Sequence, residues 1–391
     1  MGRGSSSRKQ SRALWDFASR HRERTDALII GVTGSVGKST TRHMLRTVLG
    51  ERFPGVESPA NFNNEYGVPR SLLEILPEHE FAVLELAASH VGDIAALAAL
   101  AQPEVGLLTA IAPAHLETFG SLENICRAKG ELLEALPKSG FAVLNGDDDL
   151  VRRLAGRADC PVRFVGTGIH NDVVASRVRL NDRRLRFQVG TSQFQVPVIG
   201  RQHLPAALMC VAVGRELGLT DSEIASGLRE FTPLPGRSRC LHFGPLTVID
   251  DTYNASPASM VAACLTLRDW QDAKRRVLVL GDMLELGEAS DSLHSQLGEL
   301  VAECRFDRVI AVGSQAATLA GIAKRLGMDA GCLGACRDNE LANLLLDCWL
   351  EPGDVVLVKG SRGMRMEQVV EHLRLRSMDE PETHTEARRA A

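Results

Sequence analysis

Ile29-Ile30 runs straight into Gly31-Val32-Thr33-Gly34-Ser35-Val36-Gly37-Lys38-Ser39-Thr40, after which apolar residues recur at helical spacing. Few folds accommodate this order. A strand must stop, the chain must turn on glycine, and a helix must begin at once, which is how proteins bind phosphate. Glycines let backbone amides curl around phosphate oxygens, and the helix N-terminus adds positive potential. Lys38 is then placed for the outer phosphates and Ser39 for Mg2+. The common G-x-x-x-x-G-K-[ST] spacing would need glycine at Val32, and here it falls one place earlier, at Gly31. An ordinary strand, turn and helix is the plain alternative, but Lys-Ser directly after the last glycine favours ATP or GTP. Thr33, Gly34, Ser35, Val36, Gly37, Lys38, Ser39 and Thr40 are the expected nucleotide-binding residues.

The 391 residues, 44% hydrophobic and 24% charged, can bury a full core in two domains. Net charge is −4 and basic residues are scattered, so no stripe for nucleic acid exists. Nine cysteines, without C-x-x-C spacing, read as reduced core residues. Cys332 and Cys336 lack the second pair a metal would need. No apolar run approaches the ~18 residues of a membrane span, so a cytoplasmic protein without membrane insertion is expected.

In chain order, residues 1–12 read as a flexible basic arm and 13–22 as a short amphipathic helix. Residues 27–32 form the strand feeding the loop, and a helix follows over 39–49. The apolar run 81–86 is a buried strand that spends one position on a carboxylate, Glu85. Strands at 105–109 and 141–144 alternate with helices at 93–100 and 122–136, the pattern of a parallel sheet. Short β-like pieces at 162–165, 173–180, 185–189 and 194–199 predict an antiparallel excursion, followed by a helix over 206–217. The Phe231-Thr232-Pro233-Leu234-Pro235-Gly236-Arg237 stretch is punctuated like a hinge. Strand-and-helix alternation then restarts, with strands at 246–249, 277–280, 308–312 and 355–358. Their carboxyl ends carry Asp250-Asp251, Gly281-Asp282, Gly313 and Lys359-Gly360-Ser361, where open α/β sheets hold ligands. The expected architecture is an α/β protein. An arm and short helix (1–26) precede a P-loop parallel-sheet ATPase domain with an antiparallel excursion (27–234). A Rossmann-like α/β domain (235–376) and a disordered tail (377–391) complete it.

Several further motifs stand in one order: Asn61-Phe62-Asn63-Asn64-Glu65-Tyr66-Gly67-Val68-Pro69, Glu85-Leu86-Ala87-Ala88-Ser89-His90, Ala114-His115-Leu116-Glu117-Thr118-Phe119-Gly120-Ser121, Ala128-Lys129-Gly130-Glu131 and Asn145-Gly146-Asp147. With the glycine loop they resemble the central domain of the Mur ligase family. Downstream, Pro235-Gly236-Arg237, Asp251-Thr252-Tyr253-Asn254-Ala255-Ser256-Pro257, Gly281-Asp282-Met283-Leu284-Glu285-Leu286-Gly287 and Lys359-Gly360-Ser361-Arg362 are similar to the carboxy-terminal domain of one branch. That branch adds D-alanyl-D-alanine to UDP-N-acetylmuramoyl-tripeptide in peptidoglycan synthesis.

The resemblance implies an ATP-dependent amide ligase working through an acyl phosphate with two Mg2+ ions. Lys38, Glu85, His115 and Lys129 would be catalytic. Ser39, Glu85, His115 and Lys129 would serve the metals, with Lys129 as a carbamate. Arg237 and Asp251 would hold the nucleotide from the second domain. Asn61, Asn63, Asn64, His90, Asn254, Ser256 and Lys359 would meet the UDP-muramoyl-peptide or the incoming amine. Read alone, the three asparagines build a turn, His115 is a structural histidine and Lys129 a solvated helix position. Ala87-Ala88-Ser89-His90 and Gly200-Arg201-Gln202-His203-Leu204-Pro205-Ala206 depart from the family's usual amide-bearing motifs. Residues 1–30 are too few for the UDP-gripping domain such ligases carry, which leaves three expectations: a separate protein supplies that recognition, the UDP is bound weakly, or the carboxylate substrate is a different one. Two other readings stay open: an amide ligase acting on a different amino-acyl carboxylate, like folylpolyglutamate synthetases, and a non-catalytic nucleotide-binding partner.

Overall fold

The computed structural model describes residues 3–379, with side chains from 12 to 378. Residues 1–2 and 380–391, where parts of the expected arm and tail fall, lie outside the described residues. The chain divides into two compact units, the first ending at Thr232 and the second beginning at Pro233.

The first unit opens with α1 (Arg3–Arg22), β1 (Leu28–Thr33), α2 (Lys38–Leu49), β2 (Gly55–Glu57) and α3 (Gly67–Leu73). β3 (Phe81–Glu85), α4 (Asp93–Ala101), β4 (Val105–Leu108), α5 (Leu116–Phe119), α6 (Leu122–Glu134) and β5 (Phe141–Asn145) follow. Then come α7 (Asp149–Leu154), β6 (Val162–Gly166), β7 (Val173–Asn181), β8 (Arg184–Val189), β9 (Ser192–Val196), α8 (Leu204–Glu216) and α9 (Asp221–Glu230). Nine strands form one sheet in the order β2-β3-β1-β4-β5-β6-β7-β8-β9. Both faces of the parallel part are covered. Ile30 and Val32 pack with Met44, Leu45 and Leu208 on one side, while Ile29 packs with Leu84, Leu97 and Leu132 on the other. That double burial is why these strands read as continuous apolar runs. β1 lies between β3 and β4, with Val32 opposite Glu85 and Thr33 opposite Leu108, so the loop after β1 emerges between two neighbouring strand ends.

Three expectations need correction. The first helix starts at Arg3, not at residue 13, and buries Ala18 and Arg22 in its last two turns. Residues 162–166 pair in parallel with both β5 and β7, so the antiparallel part is confined to β7, β8 and β9. The final helix also runs past residue 376, to Asp379.

The second unit contains β10 (Arg239–Phe243), β11 (Leu246–Asp251), α10 (Pro257–Arg268), β12 (Arg275–Gly281), α11 (Ser290–Cys304), β13 (Arg308–Val312) and α12 (Ala316–Arg325). β14 (Leu333–Cys336), α13 (Asn339–Trp349), β15 (Asp354–Lys359) and α14 (Glu367–Asp379) complete it. The sheet order is β10-β11-β15-β12-β13-β14, parallel except for the β10–β11 hairpin, the open arrangement of Rossmann-like folds. The carboxyl ends of β11, β15 and β12 are thus neighbours, with Asp251 opposite Lys359 and Leu280 opposite Lys359. All nine cysteines are free thiols; Cys160, Cys210, Cys264, Cys304 and Cys336 are buried, and Cys348 is exposed.

Candidate active site

The glycine loop is held open by its neighbours. Ser35 donates its amide to the Ala110 carbonyl at 2.8 Å and its hydroxyl to the Ala112 carbonyl at 2.8 Å. Thr109 donates its hydroxyl to the Val36 carbonyl at 2.6 Å, and Thr33 donates to the Leu86 carbonyl at 2.8 Å. Gly34 has φ of 146°, and a Cβ there would collide with the Thr109 hydroxyl. Gly37, the N-cap of α2 at φ 85°, has no side chain to occupy the helix's first amides, which are left as anion donors. Lys38 Nζ folds back onto the Gly34 carbonyl at 2.9 Å, across the loop it would share with a phosphate. Val36 and Thr40 are half-buried on either side of this turn.

Glu85 ends β3 beside that loop at 2% exposure, and both its oxygens are clamped. Ser39 Oγ donates to Oε2 at 2.7 Å, and Asn63 Nδ2 donates to Oε1 at 2.8 Å. Arg42, from the next turn of α2, reaches Oε2 at 3.4 Å. Burial would push the carboxyl up, but the charges of Lys38 and Arg42 with the bonds from Asn63 and Ser39 outweigh it and hold it below the usual range. Ser39 and Glu85 are hard oxygen donors in contact, the pair a Mg2+ ion takes when phosphates and water fill its other positions. Among the described residues no three His, Cys, Asp or Glu side chains form a metal cage of their own.

Lys129 points from α6 into the same region at 3% exposure, its Nζ 5.8 Å from the Phe119 ring centre. Burial pushes its amine down to about 7, helped by the charge of Lys38 and opposed by Glu85, Asp93 and Glu131. Two residues on, Glu131 accepts from the Gly92 and Ala95 amides at 2.6 and 2.9 Å, so α6 caps the start of α4. His115 begins α5 with φ of 53° and ψ of 36°, a left-handed conformation unusual outside glycine and half-buried after the β4 strand end. His90 is exposed in the loop before α4, its amide held by Asp93 at 2.8 Å.

In the second unit Asp251 accepts from the Ser238 amide at 2.9 Å and from Lys359 Nζ at 2.6 Å, and Lys359 also donates to the Asn254 carbonyl at 2.9 Å. The Arg237 guanidinium lies 3.8 Å over the Tyr253 ring. Asn254 is exposed, and Ser256 is the buried N-cap of α10. The two units each carry their own share of the predicted residues.

Two family models match the chain: Mur ligase middle domain over residues 32–214, and Mur ligase, glutamate ligase domain over residues 236–362. The UDP-N-acetylmuramoyl-tripeptide–D-alanyl-D-alanine ligase of Escherichia coli is 33% identical over 92% of this chain and 80% of its own length. That of Bacillus subtilis is 32% identical over 92% and 79%. The chain belongs to the Mur ligase family. The crystal structure of MurF from Acinetobacter baumannii superposes with a TM-score of 0.84 at 33% identity, covering 93% of this chain and 80% of that one. MurF ligase from Thermotoga maritima in complex with ADP gives 0.81 at 28% identity, covering 94% and 84%.

Within this Mur ligase, Ser39 and Asn63 hydrogen-bond Glu85 directly, and Lys38 and Lys129 are coupled to that carboxylate by charge. Asn64 instead accepts from the Tyr66 and Gly67 amides at 3.2 and 3.0 Å and so starts α3, while Asn61 is exposed on the same loop. Sequence reasoning gave no role to Arg42, Glu57, Ser58, Thr109 or Glu131, although Glu131 stands in a motif shared with the family. Arg42 had one legible signal: at Arg42 a charge falls on the helix face that also carries Leu45 and Leu49.

Proposed function

We propose that this chain is an ATP-dependent acid–amino-acid ligase that joins D-alanyl-D-alanine to UDP-N-acetylmuramoyl-tripeptide in the cytoplasm, for peptidoglycan synthesis. One observation carries the reading. Lys38, Ser39, Glu85 and Lys129 form a single electrostatically coupled group at the phosphate loop of a chain that matches such ligases over 92% of its length. A 16% likeness to a folylpolyglutamate synthase, with a TM-score of 0.69, speaks for the fold alone.

In this reading the loop amides and Lys38 bind the phosphates of ATP and orient the γ-phosphoryl group towards the tripeptide carboxylate. That carboxylate attacks phosphorus, the bond to ADP breaks, and an acyl phosphate forms. The amine of the dipeptide then attacks the carbonyl carbon, phosphate leaves, and the nitrogen gives up a proton. Bound Mg2+ supplies neutralisation of the charge that develops on the transferring group. Ser39 and Glu85 hold one ion, and His115 and Lys129 serve the second. Lys129, whose amine is pushed down to about 7 by burial, is partly neutral at neutral pH; the neutral amine adds CO2 with loss of a proton, and the resulting carbamate presents an anionic oxygen. Asn63 orients Glu85; Asn61, Asn64 and His90 face the muramoyl peptide; Asn254, Ser256 and Lys359 face the dipeptide; Arg237 and Asp251 serve the nucleotide.

The test is phosphate release by purified protein with ATP and Mg2+, supplying the UDP-muramoyl-tripeptide and D-alanyl-D-alanine separately and together. Release only with both, and a product heavier by the dipeptide, is the expected result. Activity that appears only after a protein fraction is added would assign UDP-sugar recognition to a separate partner. Silence under every condition would overturn the reading.

A further inference from the structure

We propose that Arg42 is a positioning residue: from the helix that carries Lys38 and Ser39 it fixes the loop 57–64 and, through that loop, the Glu85 carboxylate. The inference rests on the ATP and Mg2+ reading above. Arg42 is 2% exposed and is the largest fully buried side chain among the described residues. A guanidinium is tolerated in such a place only where its donors are matched. Its Nε donates to Glu57 Oε2 at 2.8 Å, and its Nη1 to the Ala60 carbonyl at 2.8 Å and to Glu85 Oε2 at 3.4 Å. His43, the next residue, holds the other Glu57 oxygen at 2.6 Å.

The tethered loop then returns to Glu85. It turns through Ala60 at φ 45°, a left-handed conformation that needs outside support in alanine. Ser58 Oγ accepts from the Glu85 amide at 3.1 Å, and Asn63 donates to the carboxylate. The Ala87 amide closes the circuit on the Asn63 carbonyl at 2.8 Å. One planar fork on α2 therefore orders the loop that orders the carboxylate lying against Ser39. An ammonium cannot span Glu57, the Ala60 carbonyl and Glu85 together.

The test compares ADP affinity, by calorimetry, in excess Mg2+ and in EDTA for the parent chain, Arg42→Lys and Glu57→Gln. In EDTA the phosphates rest on the loop amides and Lys38, so all three are expected to agree within about twofold. The extra affinity that Mg2+ confers on the parent is expected to fall at least about tenfold in Arg42→Lys and by a smaller factor in Glu57→Gln. Equal losses with and without Mg2+ would make Arg42 merely structural and overturn the proposal. So would an undiminished Mg2+ effect in both variants. If Arg42→Lys does not fold, Glu57→Gln decides alone. A parent whose ADP affinity ignores Mg2+ would overturn the reading of the site and the proposal with it.

Discussion

Lys129 is a buried amine whose pKa, about 7, lies below the ordinary lysine value of 10.5. Between those values the unfolded chain binds more protons than the folded one, so this residue makes stability rise with pH across that window. Below about pH 7 the whole cost of a desolvated ammonium is present. Lys129→Met is therefore expected to raise the unfolding free energy by about 1–4 kcal/mol at pH 6, with the gain shrinking as pH rises from about 7 towards 10.5, while ligation is lost. Denaturant melts at both pH values measure this; a variant less stable than its parent at pH 6 would mean that Glu85, Asp93 and Glu131 outweigh burial. Lys129→Ala offers a second readout: added chloride or short carboxylates should restore part of its activity by occupying the carbamate position, and full activity without them would remove Lys129 from the site. Lys38→Ala takes away the charge beside the phosphate loop. Substrate-dependent phosphate release should drop at least about a hundredfold, and unchanged release would refute the assigned role.

At the scale of elements, the site is built where β1, β3 and β4 end side by side, and helices α2, α4 and α6 hold the side chains that meet there. Their mutual fastening is polar. Glu131→Ala removes the acceptor for two amides at the start of α4, those of the exposed Gly92 and Ala95, an expected loss of about 0.5–2 kcal/mol, that of a helix cap. Hydrogen exchange should quicken in α4 ahead of the rest of the unit, and uniform exchange would place the cap elsewhere. The strands of the parallel core were legible because burial on both faces leaves unbroken apolar runs. β10 was not, since Arg239 and His242 interrupt an edge strand whose outer side meets solvent. β2 is three residues long and half-buried, too short to show a period.

For the whole molecule, nucleotide binding is linked to stability. ADP with Mg2+ at about a hundred times its dissociation constant should add about 2.7 kcal/mol to the unfolding free energy of the nucleotide-binding unit, raising its melting temperature by about 5–10 °C. A melt unmoved by ADP and Mg2+ would exclude this site from nucleotide binding. The sequence by itself determined the glycine loop, the α/β alternation of both units and which ionisable side chains stand at the strand ends, because glycine conformations, strand periods and ionisable groups are properties of short segments. Only the tertiary structure decided that Asn63 faces Glu85 while Asn64 starts a helix, that Glu131 caps a helix other than its own, and that Arg42 lies inside the protein. Each of those facts depends on segments far apart in the chain arriving at hydrogen-bonding distance, which sheet order and packing set and local pattern does not encode.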